Sequence, residues 1–370
     1  MKKHILWLVK RLLVVGFALA FAAVLLEVLL RLFVPVTDWP VGEYDPAVGL
    51  HRQPNQTGTW VVGFDGEVRG KYHINGQGWN SLHEYTADKP DGTLRIAVIG
   101  DSFIEAMQVD VDETYAALAE QALSADGACP GYDRVEVYSF GFGGAQLSQY
   151  LNVMRYVAER YAPDVFIINI FPVNDFDESL ADYAPSAYSY FLTFRDDGQG
   201  GFVEVPPVPY TPSEVRRLMV KLALVRYVYG NLQLEAVIRR ASRDEAPIAD
   251  LQDELAALTR HIFAEYQRTA EGSGARLLLV MDADRRFIYG EDPPSERITL
   301  LSQIAHEATA EQGIALLDLT ETFTQDYQQF GERFEFTVDD HWNERGHRLI
   351  SEVVSDWVAG SICLGGENGG

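Results

Sequence analysis

Residues 94–103 read LRIAVIGDSF, and this stretch decides the fold. The apolar run LRIAVIG has the composition of a β-strand that is buried on both faces. Gly100 then permits a tight turn, and Ser102 falls where the next helix begins. Aspartate and serine are both favoured as helix N-caps. Taken alone, Ser102 is therefore either a cap or an exposed nucleophile.

The alternation of buried strand and helix continues along the chain. The next predicted strands are RVEVYSF, DVFIINIF, ARLLLVMD and IALLDL, with helical patterns between them. Strands that alternate with helices predict a parallel sheet that is covered on both sides. The sequence therefore predicts an α/β fold built on five parallel strands.

The N-terminal region carries an apolar helix that follows four basic residues. Leu12 to Leu26 contains no charge, and Glu27 and Arg31 then interrupt the apolar tail one helical turn apart. The length of the run favours an uncleaved single-pass membrane anchor in residues 1–34, with a cleaved signal peptide as the alternative. Because the basic residues precede the apolar run, we expect the rest of the chain outside the cytoplasm, in the periplasm or the extracellular space.

The remaining sequence divides by composition. Residues 35–90 are rich in Gly, Pro, Trp and Tyr, which predicts a membrane-proximal linker and a small β subdomain. Residues 91–363 form the predicted α/β domain, which an aromatic and proline-rich insertion interrupts at 179–247. This insertion, with one or two amphipathic helices in 215–240, is interpreted as a lid or a binding wall, and plain decoration is the alternative. Residues 364–370 are predicted to be a disordered tail.

Charge and cysteine content narrow the class of protein. The net charge is −24, from 54 acidic and 30 basic residues, which argues against nucleic acid as a partner. The two cysteines, Cys129 and Cys363, form no CxxC motif, so a structural zinc site is not supported. In an exported chain they form either one disulfide or two free buried thiols.

Polar residues and glycines follow the predicted strands. Ligands of open parallel sheets bind outside the carboxyl ends of the strands. SFGFGGAQ, residues 139–146, follows the second strand, and its glycines let backbone N–H groups approach a ligand. The spacing is not GxGxxG, which argues against a dinucleotide cofactor. Asn174 and Asp175 follow the third strand; they form either an oxyanion donor or an ordinary Asn-Asp turn.

The last polar cluster is VDDHWNERGH, residues 338–347. His341 has the character of a general base, with Asp339 or Asp340 as the carboxylate that holds its tautomer. A metal site is the rival interpretation, but the spacing fits no zinc pattern. We expect His347 to pack or to cap the final helix. No metal or cofactor is expected.

In this order along the chain, the pieces resemble the blocks of the SGNH or GDSL hydrolases. That family has a serine after strand one, a glycine after strand two, an asparagine after strand three, and an Asp–His pair near the end. The corresponding residues here are Gly100-Asp101-Ser102-Phe103, Gly144, Asn174-Asp175 and Asp339 to His341. The resemblance implies a flavodoxin-like three-layer α/β/α sandwich.

Several block positions depart from the family pattern. Phe103 replaces a common leucine, Ser139 an asparagine, and Val173 a glycine. The common Asp-x-x-His spacing is absent, because Val338 stands at the aspartate position. Asp339-x-His341-Trp342 instead resembles a variant found in membrane-anchored enzymes that add or remove acetyl groups on exported polysaccharides.

The resemblance implies a role for each block residue. Ser102 is the expected nucleophile and His341 the base, with Asp339 as the triad acid and Asp340 as the fallback. The expected oxyanion hole consists of the backbone N–H groups of Ser102 and Gly144 and the Asn174 amide.

The implied function is that of an exported, membrane-tethered serine esterase or O-acyltransferase that acts on acyl esters, with acetyl esters of carbohydrate as the favoured case. The expected substrate is a glycan or small-molecule ester. The alternatives are a lipase or lysophospholipase of the same fold and a non-catalytic envelope scaffold. The insertion supplies aromatic side chains that either stack on sugar rings or pack as a lid: Tyr183, Tyr188, Tyr190 and Phe191.

Overall fold

The computed structural model describes residues 2–184, 189–234 and 248–364. The chain forms two compact units. The first comprises Met1–Trp39, Gly58–Arg69 and Pro212–Arg243. The second comprises Pro40–Thr57, Gly70–Thr211 and Asp244–Gly370. The division predicted from composition, with boundaries after residues 34, 90 and 363, stays a prediction.

Strands and helices alternate through most of the second unit. The strands are β1 Gly42–Asp45, β2 Gly49–Arg52, β3 Gln56–Val62, β4 Val68–Ile74, β5 Thr93–Gly100, β6 Arg134–Gly141, β7 Val165–Ile170, β8 Thr193–Asp196, β9 Phe202–Val205, β10 Arg276–Met281, β11 Ala315–Asp318, β12 Glu335–Phe336 and β13 Asp339–Trp342. The helices are α1 Lys2–Phe33, α2 Ser102–Glu105, α3 Tyr115–Leu123, α4 Leu147–Tyr161, α5 Glu214–Met219, α6 Ala223–Arg226, α7 Gln252–Ser273, α8 Arg285–Ile288, α9 Glu296–Gln312, α10 Thr320–Phe330 and α11 Glu344–Val358.

The central sheet has five strands in the order β11-β10-β7-β5-β6, and every neighbouring pair is parallel. Counted along the chain, this is the 2-1-3-4-5 order of flavodoxin-like sheets. All residues of β5 and β7 are buried, which explains their nearly continuous apolar sequences. The strand order reverses between β5 and β7, so the ligand-binding crevice of this fold is expected where these two strands end.

Helices cover both faces of the sheet. Alternate residues of β5 point to opposite faces, because the side-chain period of a strand is two. Ala97 and Ile99 belong to one apolar core with α4, α7 and α9, whereas Ile96 and Val98 belong to a second core with α3, α10 and α11. The predicted α/β/α sandwich is confirmed.

A disulfide joins Cys129 to Cys363, with 4.9 Å between the two Cα atoms. This separation lies within the usual range for a disulfide. The bond links the segment before β6 to the segment that follows α11. Of the two alternatives left open by the sequence, a disulfide and two free thiols, the structure therefore has the disulfide.

The first unit contains the apolar helix and part of the insertion. The helical stretch Ile5–Phe33 is long and apolar enough to cross a membrane, as an anchor or as a signal sequence. The amphipathic stretch predicted in 215–240 is broken into α5 and α6, because Leu222 adopts an extended backbone conformation. Residues 235–247, Tyr188 and the tail residues 365–370 lie outside the described residues.

Candidate active site

Ser102 is the first residue of α2, and only Asp101 separates it from the end of β5. The N-cap of this helix is Asp101, whose Oδ1 accepts a hydrogen bond from the Phe103 N–H at 2.9 Å. Because Asp101 caps the helix, the Ser102 hydroxyl is available for another partner. Its Oγ lies 2.7 Å from His341 Nε2. The cap and the candidate nucleophile are therefore two neighbouring residues.

Gly141 allows α2 to lie directly against the end of β6. A Cβ atom on Gly141, the last residue of β6, would lie 2.1 Å from the Glu105 backbone nitrogen. No side chain other than hydrogen fits there, so the end of β6 and the backbone of α2 are in direct contact. The helix ends after one turn, at Ala106, which has the left-handed φ of 50°.

His341 and Asp339 lie two residues apart on the short strand β13. Residues i and i+2 of a strand share a face, so both side chains point to the same side. Asp339 Oδ1 accepts hydrogen bonds from His341 Nδ1 at 2.5 Å and from the His341 backbone N–H at 3.0 Å. Asp340 lies on the opposite face with an exposed side chain. The structure thus brings Ser102, His341 and Asp339 together.

Two titratable groups of this cluster have shifted pKa values. Burial opposes the charged form of His341, but the charge and hydrogen bond of Asp339, with a further contribution from Asp101, raise its pKa above the usual value. Burial raises the pKa of Asp101 to about 7, against the opposing effect of its hydrogen bond from Phe103. With Nδ1 donating to Asp339, the His341 Nε2 atom is an acceptor for the Ser102 hydroxyl.

Aromatic rings fix the position of the imidazole. The Phe103 ring centroid lies 4.8 Å from that of His341 and 4.8 Å from that of Trp342. The indole N–H of Trp342 donates to Asp282 Oδ1 at 3.3 Å, and Arg285 pairs with the same carboxylate at 3.3 Å. The tryptophan of the Asp-x-His-Trp sequence therefore packs into the core against Phe103, the residue whose ring also contacts His341.

The glycine turn after β6 lies against Ser102. A Cβ on Gly143 would lie 3.7 Å from the Cβ of Ser102. Gly144, the predicted oxyanion donor, follows with a φ of +81°, a conformation that favours glycine. The backbone N–H of Gly143 donates to Glu105 Oε2 at 3.0 Å and is therefore engaged within the protein.

The loop after β7 is held by its own hydrogen bonds. Asp175 Oδ2 accepts from the Phe171 backbone N–H at 2.8 Å and from the Tyr150 hydroxyl at 2.9 Å, and burial raises the pKa of Asp175. Asn174 Nδ2 donates to Glu178 Oε2 at 3.0 Å. The amide nitrogen carries two hydrogens, so this bond orients the Asn174 side chain without using both.

A buried ion pair that the sequence does not predict braces the glycine turn. Glu105 accepts hydrogen bonds from Arg52 Nε at 2.6 Å and Arg52 Nη2 at 3.0 Å, in addition to that from Gly143. The Glu105 side chain is 4 % exposed. An acidic residue in the first turn of a helix is ordinarily a solvated residue that favours the helix dipole. Its partner lies 53 residues earlier in the chain, so no local pattern indicates the pair.

Of the other predicted residues, two lie inside the core and one at the protein surface. His347 Nδ1 accepts from the Tyr115 backbone N–H at 3.2 Å, and burial lowers its pKa to about 3, so it packs as a neutral side chain. Phe191 is buried with its ring centroid 5.7 Å from that of Phe142, whereas Tyr183 is 40 % exposed. Within residues 2–184, 189–234 and 248–364, no group of three or more His, Cys, Asp or Glu side chains is arranged to hold a metal ion.

Sequence comparison agrees with this fold. The sequence profile of the GDSL-like Lipase/Acylhydrolase family matches residues 98–349, about two thirds of the chain. By class, the protein is thus an acyl-ester hydrolase. It belongs to the GDSL-like lipase/acylhydrolase family, as the resemblance of its sequence blocks predicted. No curated protein matches the chain at a significant level.

Solved structures with a similar fold include a lipase/acylhydrolase from Enterococcus faecalis, at 14% identity and a TM-score of 0.41, with 72% of this chain and 96% of that chain covered. An acetyl xylan esterase is similar at 15% identity and a TM-score of 0.42, with 72% of this chain and 99% of that chain covered.

Proposed function

We propose that the protein is an exported, membrane-tethered serine esterase whose nucleophile is Ser102. The observation that carries this proposal is the unbroken hydrogen-bonded chain from Ser102 Oγ to His341 Nε2 and from His341 Nδ1 to Asp339, at 2.7 and 2.5 Å. It lies where β5 ends, at the point of strand reversal where flavodoxin-like sheets bind their ligands.

Each group then has a step in ester cleavage. Ser102 Oγ attacks the carbonyl carbon while its proton passes to His341 Nε2, and Asp339 stabilises the imidazolium that forms. The tetrahedral intermediate collapses, the bond to the leaving alcohol breaks, and Nε2 returns the proton to that alcohol. Water then attacks the acyl-enzyme through the same steps, with His341 as the base, and the carboxylic acid is released. A sugar hydroxyl in the place of water gives acyl transfer instead.

The developing oxyanion is assigned to three donors around Ser102: the backbone N–H groups of Ser102 and Gly144 and the side-chain amide of Asn174. The positive φ of Gly144 and the bond from Asn174 to Glu178 support this assignment, because both hold a donor in a fixed orientation. Preorganised donors of this kind are each worth about 10²–10³ in rate.

We assign the substrate to acetyl esters of carbohydrate. The support is the Asp339-x-His341-Trp342 sequence, whose tryptophan and histidine both pack against Phe103. An N-terminal helix that is suited to hold the enzyme at a membrane surface adds to it. Tyr183, exposed in the insertion, is suited to stack on a sugar ring.

A serine-reactive fluorophosphonate tests the catalytic part of the proposal. We expect one covalent adduct, which peptide mass spectrometry assigns to Ser102. His341→Ala should label far more slowly, because the hydroxyl loses its base. Folded wild-type protein that does not react with the probe is the result expected of a non-catalytic scaffold, and it would overturn the proposal.

A substrate panel tests the assignment to carbohydrate. The same preparation is given an O-acetylated glycan and a lysophospholipid in detergent, and release of acetate and of fatty acid is measured. We expect acetate release to dominate. Preferred cleavage of the lysophospholipid would agree with the serine mechanism but would show that the substrate is a lipid and not a carbohydrate.

A further inference from the structure

The C-terminal part of α1 packs against the insertion within the first unit. The Glu27 carboxylate accepts hydrogen bonds from the backbone N–H groups of Ala223 and Leu224, both at 2.9 Å. Glu27 also pairs with Arg31 at 2.7 Å, and Arg31 Nη2 donates to the Lys221 carbonyl at 2.8 Å. Three hydrogen bonds thus fix the start of α6 and the residue Lys221 to α1, and the Glu27–Arg31 ion pair lies within α1 itself.

These contacts define where the insertion meets a bilayer that α1 spans. The uncharged run begins at Leu12, and a hydrocarbon layer of about 30 Å at 1.5 Å per residue accommodates about 20 residues, which reaches Arg31. Glu27 then lies just inside the outer boundary of the hydrocarbon, where an unpaired carboxylate is costly. Arg31 and the two amides of α6 compensate this charge, so the start of α6 lies at the depth of the membrane boundary.

Residues 214–222, which lead into α6, expose an apolar stripe. The stripe consists of four apolar side chains: Val215, which is 70 % exposed, Leu218 at 65 %, Met219 at 42 % and Leu222 at 39 %. Val215, Leu218 and Met219 follow the i, i+3, i+4 spacing that places residues on one face of α5, and Leu222 follows after the helix has ended. A soluble surface rarely exposes apolar side chains together in this way unless they meet a partner.

Basic residues flank the stripe. Residues 214–222, EVRRLMVKL, contain three basic residues and one acidic residue, in a chain whose net charge is −24. A basic and apolar helical segment next to a membrane span has the composition of an interfacial helix, whose cations meet lipid phosphates.

We propose that residues 214–222 lie in the membrane interface beside α1, with the apolar stripe among the acyl chains and the basic flank at the phosphate groups. The insertion is then a second attachment to the lipid surface, next to the span. This inference rests on the proposed membrane anchor, and it commits to lipid as the occupant of the stripe.

The test uses the full chain in vesicles of equal parts phosphatidylcholine and phosphatidylglycerol. Single cysteines are introduced by Leu218→Cys in the stripe, Phe17→Cys in α1 and Val203→Cys in β9, and each is labelled with an environment-sensitive fluorophore. The native cysteines form a disulfide and do not react. Val203 is the matched control, since it is an apolar residue that is 50 % exposed in the second unit.

We expect lipid-borne doxyl quenchers placed near the carbonyl region to quench the Leu218 probe several-fold more than the Val203 probe. The Phe17 probe should be quenched by doxyl groups deep in the acyl chains. A quenched Phe17 probe with a Leu218 probe no more quenched than Val203 overturns this inference and leaves the anchor intact. If the Phe17 and Leu218 probes both behave as the Val203 probe does, the anchor and the inference fail together.

Discussion

Removal of Arg52 should damage both the stability of the protein and the candidate active site. Arg52→Met deletes the guanidinium while it keeps an unbranched apolar side chain near the Phe142 ring, whose centroid lies 4.5 Å from the guanidinium carbon. The Glu105 carboxylate, 4 % exposed, then loses both of its hydrogen bonds from Arg52. Breaking a buried ion pair from one side costs about 3–5 kcal/mol of folding free energy. A shift of about 1 Å in the Gly143 turn costs about 10²-fold in turnover.

The assay measures the urea midpoint and the kcat on an aryl acetate for detergent-solubilised full-length protein. Arg155→Met is the matched control, because Arg155 also bridges acidic residues, Glu204 and Glu265, but its side chain is 35 % exposed. We expect the control to lose at most about 1 kcal/mol and to keep its turnover. If Arg52→Met is no less stable and no less active than Arg155→Met, the ion pair does not hold the glycine turn.

Three further predictions follow from the titrating groups and the disulfide. Because His341 must be neutral to accept the serine proton and its pKa is raised, kcat/KM should fall as pH decreases, with a midpoint above pH 6.5. Asp339→Asn should move that midpoint to lower pH. A midpoint that Asp339→Asn leaves unchanged would contradict the pairing of Asp339 with His341. The pKa of Asp101 is raised in the folded state to about 7, so the stabilisation from its protonated form is complete below about pH 3.8 and lost as pH rises through about 7. The Asp101→Asn side chain is neutral at every pH, so the Tm of this variant should rise relative to that of the wild type between about pH 5 and pH 9. A difference in Tm between the two proteins that stays constant over this pH range would refute the prediction. Cys129 and Cys363 are separated by 234 positions in the sequence, and closing a loop of this length is worth about 5 kcal/mol in the chain-entropy model, so Cys129→Ser should lower the urea midpoint strongly, unlike the exposed substitution Ser124→Ala.

Much of the fold was predictable because it depends on local patterns. The five sheet strands are short apolar runs, and their alternation with helices predicts the layers before any contact is known. Helix α4 begins and ends where its amphipathic pattern does, at Leu147 and Tyr161. The preference for Asp339 over Asp340 beside His341 also follows from local geometry, since only residues two apart on a strand share a face.

Other features of the structure depend on contacts between residues far apart in the chain. Arg52 meets Glu105 across 53 positions, and Glu27 meets Ala223 across 196. Neither pair leaves a periodic signal in the sequence, because each partner alone is compatible with an ordinary solvated charge. The amphipathic pattern of the insertion predicts one or two helices and does not show where they divide. The extended backbone at Leu222, which separates α5 from α6, accompanies the hydrogen bond from Arg31 of α1 to the Lys221 carbonyl.

Turnover of an aryl acetate by Ser102→Ala, beside wild-type protein and Ser124→Ala, tests the central claim most directly. Alanine removes only the hydroxyl oxygen, and Asp101 still caps α2, so the fold should be kept. Loss of a serine nucleophile should lower kcat by at least about 10³-fold, while Ser124→Ala, at an exposed position, should match the wild type. Wild-type turnover by folded Ser102→Ala would contradict the account.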